Sequence, residues 1–376
     1  MSGEAREWTT VRLGDIADVN PESLGQRTDP NFAFGYIDIS QISKPGVCAG
    51  WTPSTFETAP SRARRKVREK DILVSTVRPY LRAFALVPPS DSPLVASTGF
   101  AVIRARHEVD QNFLFQHIMA ANFVEHLKPR MSGSNYPAVS AGDVSDYEFQ
   151  CPPLNEQRLI AEVLDSINCA LADADAAIEC LGSLLTSLRC SLMSDPSSPP
   201  EGANRVSLHD VCRPRQHPTI SSQQLTASGF PAYGANGQIG FYTSYTHTDP
   251  VIAITCRGAT CGTINWIPAR SYVTGNAMAL DDVRHDTINE RFLFHYLSAW
   301  GVAKSITGSA QPQITRQSLN GIEIVLPSME EQNIAATALD DILVQIEAAR
   351  AARWTLDITR SQVTADLLSG RVRVPA

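Results

Sequence analysis

The sequence predicts a mixed α/β (α+β) chain. Two similar globular units are separated by two long antiparallel coiled-coil helices and related by a pseudo-two-fold. Three observations predict this. CPPLNEQRLIAEVLD (151–165) returns within VLPSMEEQNIAATALD (325–340). A long apolar heptad seam follows each copy. A segment of short β-rich runs punctuated by glycine precedes each copy.

The two phrases align without a gap. Gln157 meets Gln332 at an offset of 175 residues, and Pro152, Glu156, Ala161, Leu164, Asp165 and Ile167 find identical residues at the same offset. SGSNYPAVS from Ser132 meets TGSAQPQIT from Thr307 in the same register. Nearer the start of each half, VRLGDIADV from Val11 meets VSLHDVCRP from Val206 at an offset of 195, so the first half carries 20 extra residues. Units of this size are far longer than the roughly 20–50 residues of a solenoid repeat.

Taken in order, the chain divides into a first globular unit (1–152), a first helix (153–193) and a Pro/Ser-rich linker (194–204). A second unit (205–326), a second helix (327–370) and a tail (371–376) follow. In the first unit, DILVSTV (71–77) reads as a strand and NFLFQHIMAANFVEHL (112–127) as an amphipathic helix. DPVIAIT (249–255) and ERFLFHYLSAWGVAKSI (290–306) are their counterparts, and YGANGQIGFY (233–242) reads as a glycine-punctuated hairpin or loop.

The first seam runs Ile160, Leu164, Ile167, Leu171, Ala174, Ile178, Leu181, Leu185, Leu188, Leu192, in unbroken steps of four and three. Some 39 residues give a rod of roughly 58 Å. The second seam, Ala335 to Leu367, keeps the spacing but carries Arg353 and Arg360, whose stems can lie along a seam and snorkel outward. Trp354 is expected to cover the gap beside Arg353. Ser328 and Glu331 form an S-x-x-E capping box. Pro153 takes the place of Ser328 in the first copy, so Asn155 is expected to cap there. Gly370 suits the position just past the second helix. The closing RVRV echoes NRVSL (204–208), which places the N- and C-terminal ends close together.

Composition narrows the function classes. The chain has 376 residues, 43% hydrophobic and 19% charged, an ordinary soluble balance. No apolar run approaches the ~20 residues that span a bilayer, so no membrane partner is expected, and MSGEAREW lacks a signal-peptide pattern. A cytoplasmic location is expected. The eight cysteines show no metal-ligand spacing, and reduced thiols are expected, Cys256 and Cys261 included. Net charge is −7, but 151–200 carries 2 basic and 7 acidic residues while 1–150 carries 16 and 17 and 201–326 carries 9 and 8. The segment 327–376 carries 5 and 7, so the acid sits in the segments after each repeated phrase, and the globular units stay near neutral, which permits a local basic face.

There is no phosphate-binding G-x-x-x-x-G-K-[ST] loop, no H-E-x-x-H, no G-x-S-x-G and no methyl-donor signature. His217 before Pro218 reads as a surface loop, and Asp281-Asp282 as solvated carboxylates. No catalytic and no metal-ligating residue is assigned. The suggestive chemistry is polar and lies at equivalent places. Arg78, Tyr80 and Arg82 follow the first β run, and Arg257 and Thr260 follow the second. Ser134, Asn135 and Tyr136 precede the first phrase; Ser309, Gln311 and Gln313 precede the second. Tyr233 and Asn236 lie in the hairpin. These residue types hydrogen-bond base edges and phosphates. RARRKVREK (62–70), with Arg64, Arg65 and Lys66, is the strongest basic cluster: a phosphate grip or a plain solvated loop. Leu159, Val163, Leu184 and Ile358 lie off the seams and offer an apolar outer face to a partner.

The order of globular unit, PPLNEQRLIAEVLDSI, long helix, globular unit, LPSMEEQNIAATALDDI and long helix resembles the specificity subunit of type I restriction–modification systems. YGANGQIGFY, RGATCGTINW and TGSAQPQITRQSLNGIEIVLP are similar to that family's second recognition domain. The first half departs from it, with FGYIDISQI (34–42) in place of the G-A-N-G motif. The resemblance implies two target recognition domains, each reading one half of a split double-stranded DNA sequence. It implies partnership with two modification subunits that transfer a methyl group from S-adenosylmethionine to adenine N6, and with restriction subunits that use ATP and Mg²⁺, as part of phage defence. No cofactor and no catalysis are expected in this chain. The alternatives are a stand-alone DNA-binding module and a coiled-coil protein scaffold.

Overall fold

The computed structural model describes residues 7–235, 237–308 and 311–374. The chain forms two compact units, Met1–Asp173 with Arg353–Ala376, and Ala174–Ala352. The division falls inside the two long helices, so each unit contains part of both.

The first unit opens with strand Thr9–Arg12, which pairs antiparallel with Glu148–Cys151. One four-stranded sheet runs in the order Ala17–Val19, Phe100–Ala105, Ile72–Ser75, Phe84–Leu86. Ile72–Ser75 is buried at every position, as its unbroken apolar run requires. A second sheet runs Thr52–Thr55, Ala33–Ile37, Leu94–Ser97, Ala63–Val67. Leu13, Ile72, Phe84, Phe113 and Phe123 form the main core, and Ile160 and Leu164 of one long helix and Leu367 of the other complete it. Each such side chain contributes about 1.5–3 kcal/mol when fully buried.

The second unit repeats this plan. Asn204–Ser207 pairs with Glu323–Leu326. Arg213–Arg215, Ala277–Asp281, Val251–Thr255 and Ile264–Ile267 form the four-stranded sheet. Gly237–Tyr242, Phe230–Gly234 and Tyr272–Val273 form a three-stranded one. In the second sheet of each unit one pair is parallel: Ala33–Ile37 with Leu94–Ser97, and Phe230–Gly234 with Tyr272–Val273. Among the described residues of the second unit, strand Ala63–Val67 has no counterpart, and neither has the hairpin Ile42–Lys44 with Val47–Cys48. The extra residues of the first half therefore build an added strand and a hairpin.

The long helices are Leu154–Leu192 and Met329–Leu368. Along the second, every seam position from Ala335 to Leu367 is buried or half-buried. Arg353 and Arg360 keep the seam by snorkelling, with Asp357 within ion-pair reach of both at 4.0 and 3.2 Å. Trp354 does not cover the seam; it faces solvent. In the first helix the seam holds to Leu188, but Leu192 turns outward and Met193, past the helix end, enters the core instead.

The end signals divide. Ser328 and Glu331 make the capping box, with Ser328 N donating to Glu331 Oε2 at 2.9 Å and Glu331 N to Ser328 Oγ at 3.3 Å. Asn155 does not cap the first helix, because the helix begins one residue earlier and the Pro153 carbonyl accepts from Glu156 N and Gln157 N. Gly370 has φ +74°, and a Cβ there would stand 3.1 Å from Trp8. The C-terminal segment packs against the first strand: Arg373 pairs with Glu156 at 2.6 Å and stacks on Trp8, whose Nε1 donates to the same carboxylate.

The expected helix over 112–127 is two helices, Gln111–Met119 and Ala121–Leu127, broken where Ala120 is extended. Its counterpart Glu290–Trp300 is continuous and stops at Gly301, φ +66°. The region read as a hairpin or loop at 233–242 is strand–turn–strand. RARRKVREK is not a loop: Ala63–Val67 is a strand paired with Leu94–Ser97.

Candidate nucleic-acid interface

The repeated phrase fixes one side of the framework. Gln157 and Gln332 are both buried. Gln157 accepts from Asp110 N at 2.8 Å and donates to the Pro152 carbonyl at 2.8 Å. Gln332 accepts from Asn289 N at 2.8 Å and donates to the Pro327 carbonyl at 3.1 Å. Asp110 and Asn289 are the N-caps of the equivalent globular helices. Each glutamine therefore ties the start of a long helix to the start of a globular one, which is why the phrase occurs once per unit. The repeated aspartate adds a second tie about two turns on. Asp165 accepts from Gln116 at 2.7 Å. Asp340 accepts from His295 Nε2 at 2.8 Å and from the Arg291 guanidinium. Burial, opposed by the Asp340 hydrogen bond, pushes His295 down to about 4.

Two loops meet at the opposite end of the β runs in the same way in both units. In the first, Ser132 and Ala138 close a loop by reciprocal backbone bonds of 2.9 and 2.8 Å; the Thr76 carbonyl accepts from Val139 N at 2.9 Å, and Val77 bridges Ala138. In the second, Thr307 and Gln313 close the loop with two bonds of 2.8 Å, the Cys256 carbonyl accepts from Ile314 N at 2.9 Å, and Arg257 bridges Gln313. Gly133 and Gly308, with φ +94° and +83°, make the first bend of these loops; a Cβ on Gly308 would lie 2.6 Å from the Gln311 carbonyl oxygen.

This register corrects the expected equivalence of Arg78 and Arg257. Val77 is the counterpart of Arg257. Arg78, with φ +49°, is the counterpart of Gly258, with φ +86°. Both units need a left-handed residue at that point, and the first uses an arginine for it.

Arg78 is held in place by this geometry. Its Nη2 donates to the Asn135 carbonyl at 2.9 Å, and its guanidinium lies 4.7 Å from the Tyr136 ring centroid. Tyr136 is 69% exposed, and Ser134 and Asn135 beside it are exposed. Tyr80 is exposed on the short 3₁₀ turn Pro79–Leu81. Arg82 is not on the same side. Its guanidinium donates to the Met119 carbonyl at the end of helix Gln111–Met119, and burial lowers its pKa, with Arg360 adding to the effect. It caps that helix from outside, where the helix breaks.

In the second unit Arg257, Gln311 and Gln313 are exposed. Thr260 Oγ1 donates to the Ala235 carbonyl at 3.1 Å, which ties this loop to the hairpin turn. Tyr233 is a half-buried strand residue packed on the small core, and burial raises its pKa. Asn236 and Ser309 lie outside the described residues.

The basic strand is largely committed to its own fold. Arg64 stacks on Phe56 at 4.7 Å and donates to the Ala63 carbonyl. Arg65 donates to Ser23 Oγ at 3.3 Å, and burial lowers its pKa. Lys66 lies 3.5 Å from Glu22, a carboxylate that Arg68 and Arg104 also grip. Hydrogen bonding from Arg104 holds the Glu22 carboxyl below its usual range. On the helices, Val163, Leu184 and Ile358 are 38%, 45% and 46% exposed, and Leu159 is half-buried.

One cluster escaped the sequence reading. Asp281 is not solvated; it sits between His217 and His247, while its neighbour Asp282 is exposed. The three are far apart in sequence and follow no motif, so no spacing signal announces them. No helix among the described residues is long and apolar enough to cross a membrane.

The comparisons with known proteins agree with this two-unit construction. A family model described as the type I restriction modification DNA specificity domain matches residues 5–172 and again 200–353. The Type I restriction enzyme EcoprrI specificity subunit of Escherichia coli is 26% identical over 364 residues, covering 90% of this chain and 88% of its own length. A solved chain from work on complex assembly and conformational transition of the type I R-M system aligns over 98% of this chain and 100% of its own, with 25% identity and a TM-score of 0.63. The Type-I restriction-modification system S subunit from M. genitalium shares the fold, with 15% identity, a TM-score of 0.63 and coverage of 98% and 97%. With one match on each globular unit, and each match running into the long helix that follows, the chain belongs to the type I restriction modification DNA specificity family.

Proposed function

We propose that this chain is the DNA-reading subunit of a type I restriction–modification complex and that each unit reads one half of a split target. The observation that carries this is the loop pair built twice by the same backbone bonds, with Arg78 on Tyr136 in one unit and Arg257 opposite Gln313 in the other. A planar guanidinium already fixed in orientation loses less entropy on meeting a guanine edge. Gln311 and Gln313 have the amide geometry that pairs with adenine. The long helices set the gap between the half-sites. The outer face around Leu159, Val163, Leu184 and Ile358 receives helices of two modification subunits. Methyl transfer from S-adenosylmethionine, ATP use and Mg²⁺ binding belong to those subunits and to the restriction subunits. The site of action is the cytoplasm.

The test is a map of methylated adenines after the chain is assembled with its modification subunits. The reading predicts one bipartite motif with a fixed gap, and a shorter gap with unchanged half-sites when seven residues are removed from each long helix. Salt-dependent DNA binding by the chain alone, with no partner recruited, favours a stand-alone module. Partner recruitment without any DNA dependence favours a scaffold.

A further inference from the structure

Three side chains of the second unit converge outside the loops described above. Asp281, at the end of strand Ala277–Asp281, has His247 Nε2 3.0 Å from Oδ1 and His217 Nε2 3.3 Å from Oδ2. The two imidazoles meet edge to face with centroids 4.8 Å apart, and the three ligand atoms all lie within 4.8 Å of one another. His217 Nε2 is shielded from solvent and makes no well-aligned hydrogen bond.

The surroundings orient the rings. Thr246 Oγ1 accepts from Val273 N at 2.9 Å and lies 3.3 Å from the Ser271 carbonyl and 2.8 Å from His247 Nδ1. Given to the Ser271 carbonyl, the hydroxyl proton lets Thr246 accept from His247 Nδ1–H; given to Nδ1, it leaves Nε2–H to donate to Asp281. In the first tautomer the Nε2 lone pair faces a carboxylate oxygen, an arrangement that a cation bound by both satisfies. This is the outer-shell hydrogen bond expected of a metal-ligating histidine. Arg215 Nη1 also lies 3.3 Å from Asp281 Oδ2, but Asp282 is 3.6 Å from the same guanidinium and can take it over.

We propose that His217, His247 and Asp281 bind a divalent transition-metal ion of the zinc class. Two imidazoles and one carboxylate select such an ion over magnesium or calcium, which prefer all-oxygen sites. Three protein donors leave a fourth position for water. The ion ties the segment after strand Arg213–Arg215 and the 246–247 loop to the end of strand Ala277–Asp281, and so braces this side of the second unit.

The test uses the full chain, without a histidine tag and stripped with a chelator, titrated with Co²⁺ and then Zn²⁺. About one equivalent of Co²⁺ should give the visible bands of a four- or five-coordinate site, and Zn²⁺ should abolish them. His247→Ala and the gentler His217→Gln should each weaken binding roughly 100-fold or more, with circular dichroism showing a folded chain, while His107→Ala in the first unit leaves binding unchanged. Absence of cobalt bands from the unmodified chain, or binding by both variants as tight as by the unmodified chain, overturns the proposal and leaves the cluster as a hydrogen-bonded histidine–carboxylate group.

Discussion

Replacing Gln332 by Leu removes the tie between the second long helix and the globular helix Glu290–Trp300 while keeping the volume of the side chain. Gln332 is buried, with its carbonyl oxygen on Asn289 N and its amide on the Pro327 carbonyl. The stranded Asn289 amide costs about 1–3 kcal/mol, and the bond lost at Pro327 adds up to about 1 kcal/mol. The expected loss is therefore roughly 1–4 kcal/mol. For a unit of this size, each kcal/mol shifts the melting temperature by about 2–4 °C, so the transition of the second unit should fall by roughly 2–16 °C. Hydrogen exchange should speed up at the start of helix Glu290–Trp300 and leave the first unit alone. Gln345→Leu, on an exposed face of the same helix, should change stability by no more than about 0.5 kcal/mol. A Gln332→Leu chain that melts with the unmodified one would refute the claim that the repeated glutamine is a structural lock.

The remaining predictions concern the loops, the buried histidine and the outer face. Gly308→Ala adds a Cβ 2.6 Å from the Gln311 carbonyl at a left-handed position, a strain of about 1–2 kcal/mol before any clash, and should impair reading of one half-site only; Gly133→Ala, at 3.3 Å, should do less. His295 is pushed down to about 4 by burial, so between pH 4 and its ordinary 6.5 the unfolded chain binds more protons than the folded one. Stability of the second unit should therefore rise with pH across that window, on the order of 2–3 kcal/mol in total, and His295→Gln, which copies Gln116 of the first unit, should flatten the dependence measured by pH-resolved melting. Leu159→Lys with Val163→Lys should abolish co-purification of modification subunits while the melting temperature stays near that of the parent; retained co-purification would remove this face from the interface.

Much of the fold was legible because it is periodic. The seam residues from Ile160 to Leu188 and from Ala335 to Leu367 announce both long helices, which run Leu154–Leu192 and Met329–Leu368. The exceptions have local causes. Leu192 leaves the seam because the helix ends there and Met193 fills the core. The first globular helix breaks at Ala120, where a distant arginine caps it. RARRKVREK hides a strand because its charged side chains find Phe56, Ser23 and Glu22 as partners. The candidate site was legible by residue type and only partly by register. Alternating Arg78, Tyr80 and Arg82 look alike in the sequence, yet a 3₁₀ turn between two left-handed arginines separates their directions. The histidine–aspartate cluster was invisible, because three segments without a shared motif supply it.

The most direct measurement of the central claim is the methylated-site profile of the complex carrying Arg78→Ala. Arg78 is fixed by Asn135 and Tyr136 at the joined loops of the first unit. A base-reading arginine contributes about 1–3 kcal/mol of discrimination. The account predicts that one base position in one half-site relaxes by roughly 5–150-fold, with the other half-site and the gap unchanged. A uniform loss at every site with both half-site sequences intact, accompanied by a fall of about one unit in the salt slope of binding, would place Arg78 on the phosphate backbone and contradict it.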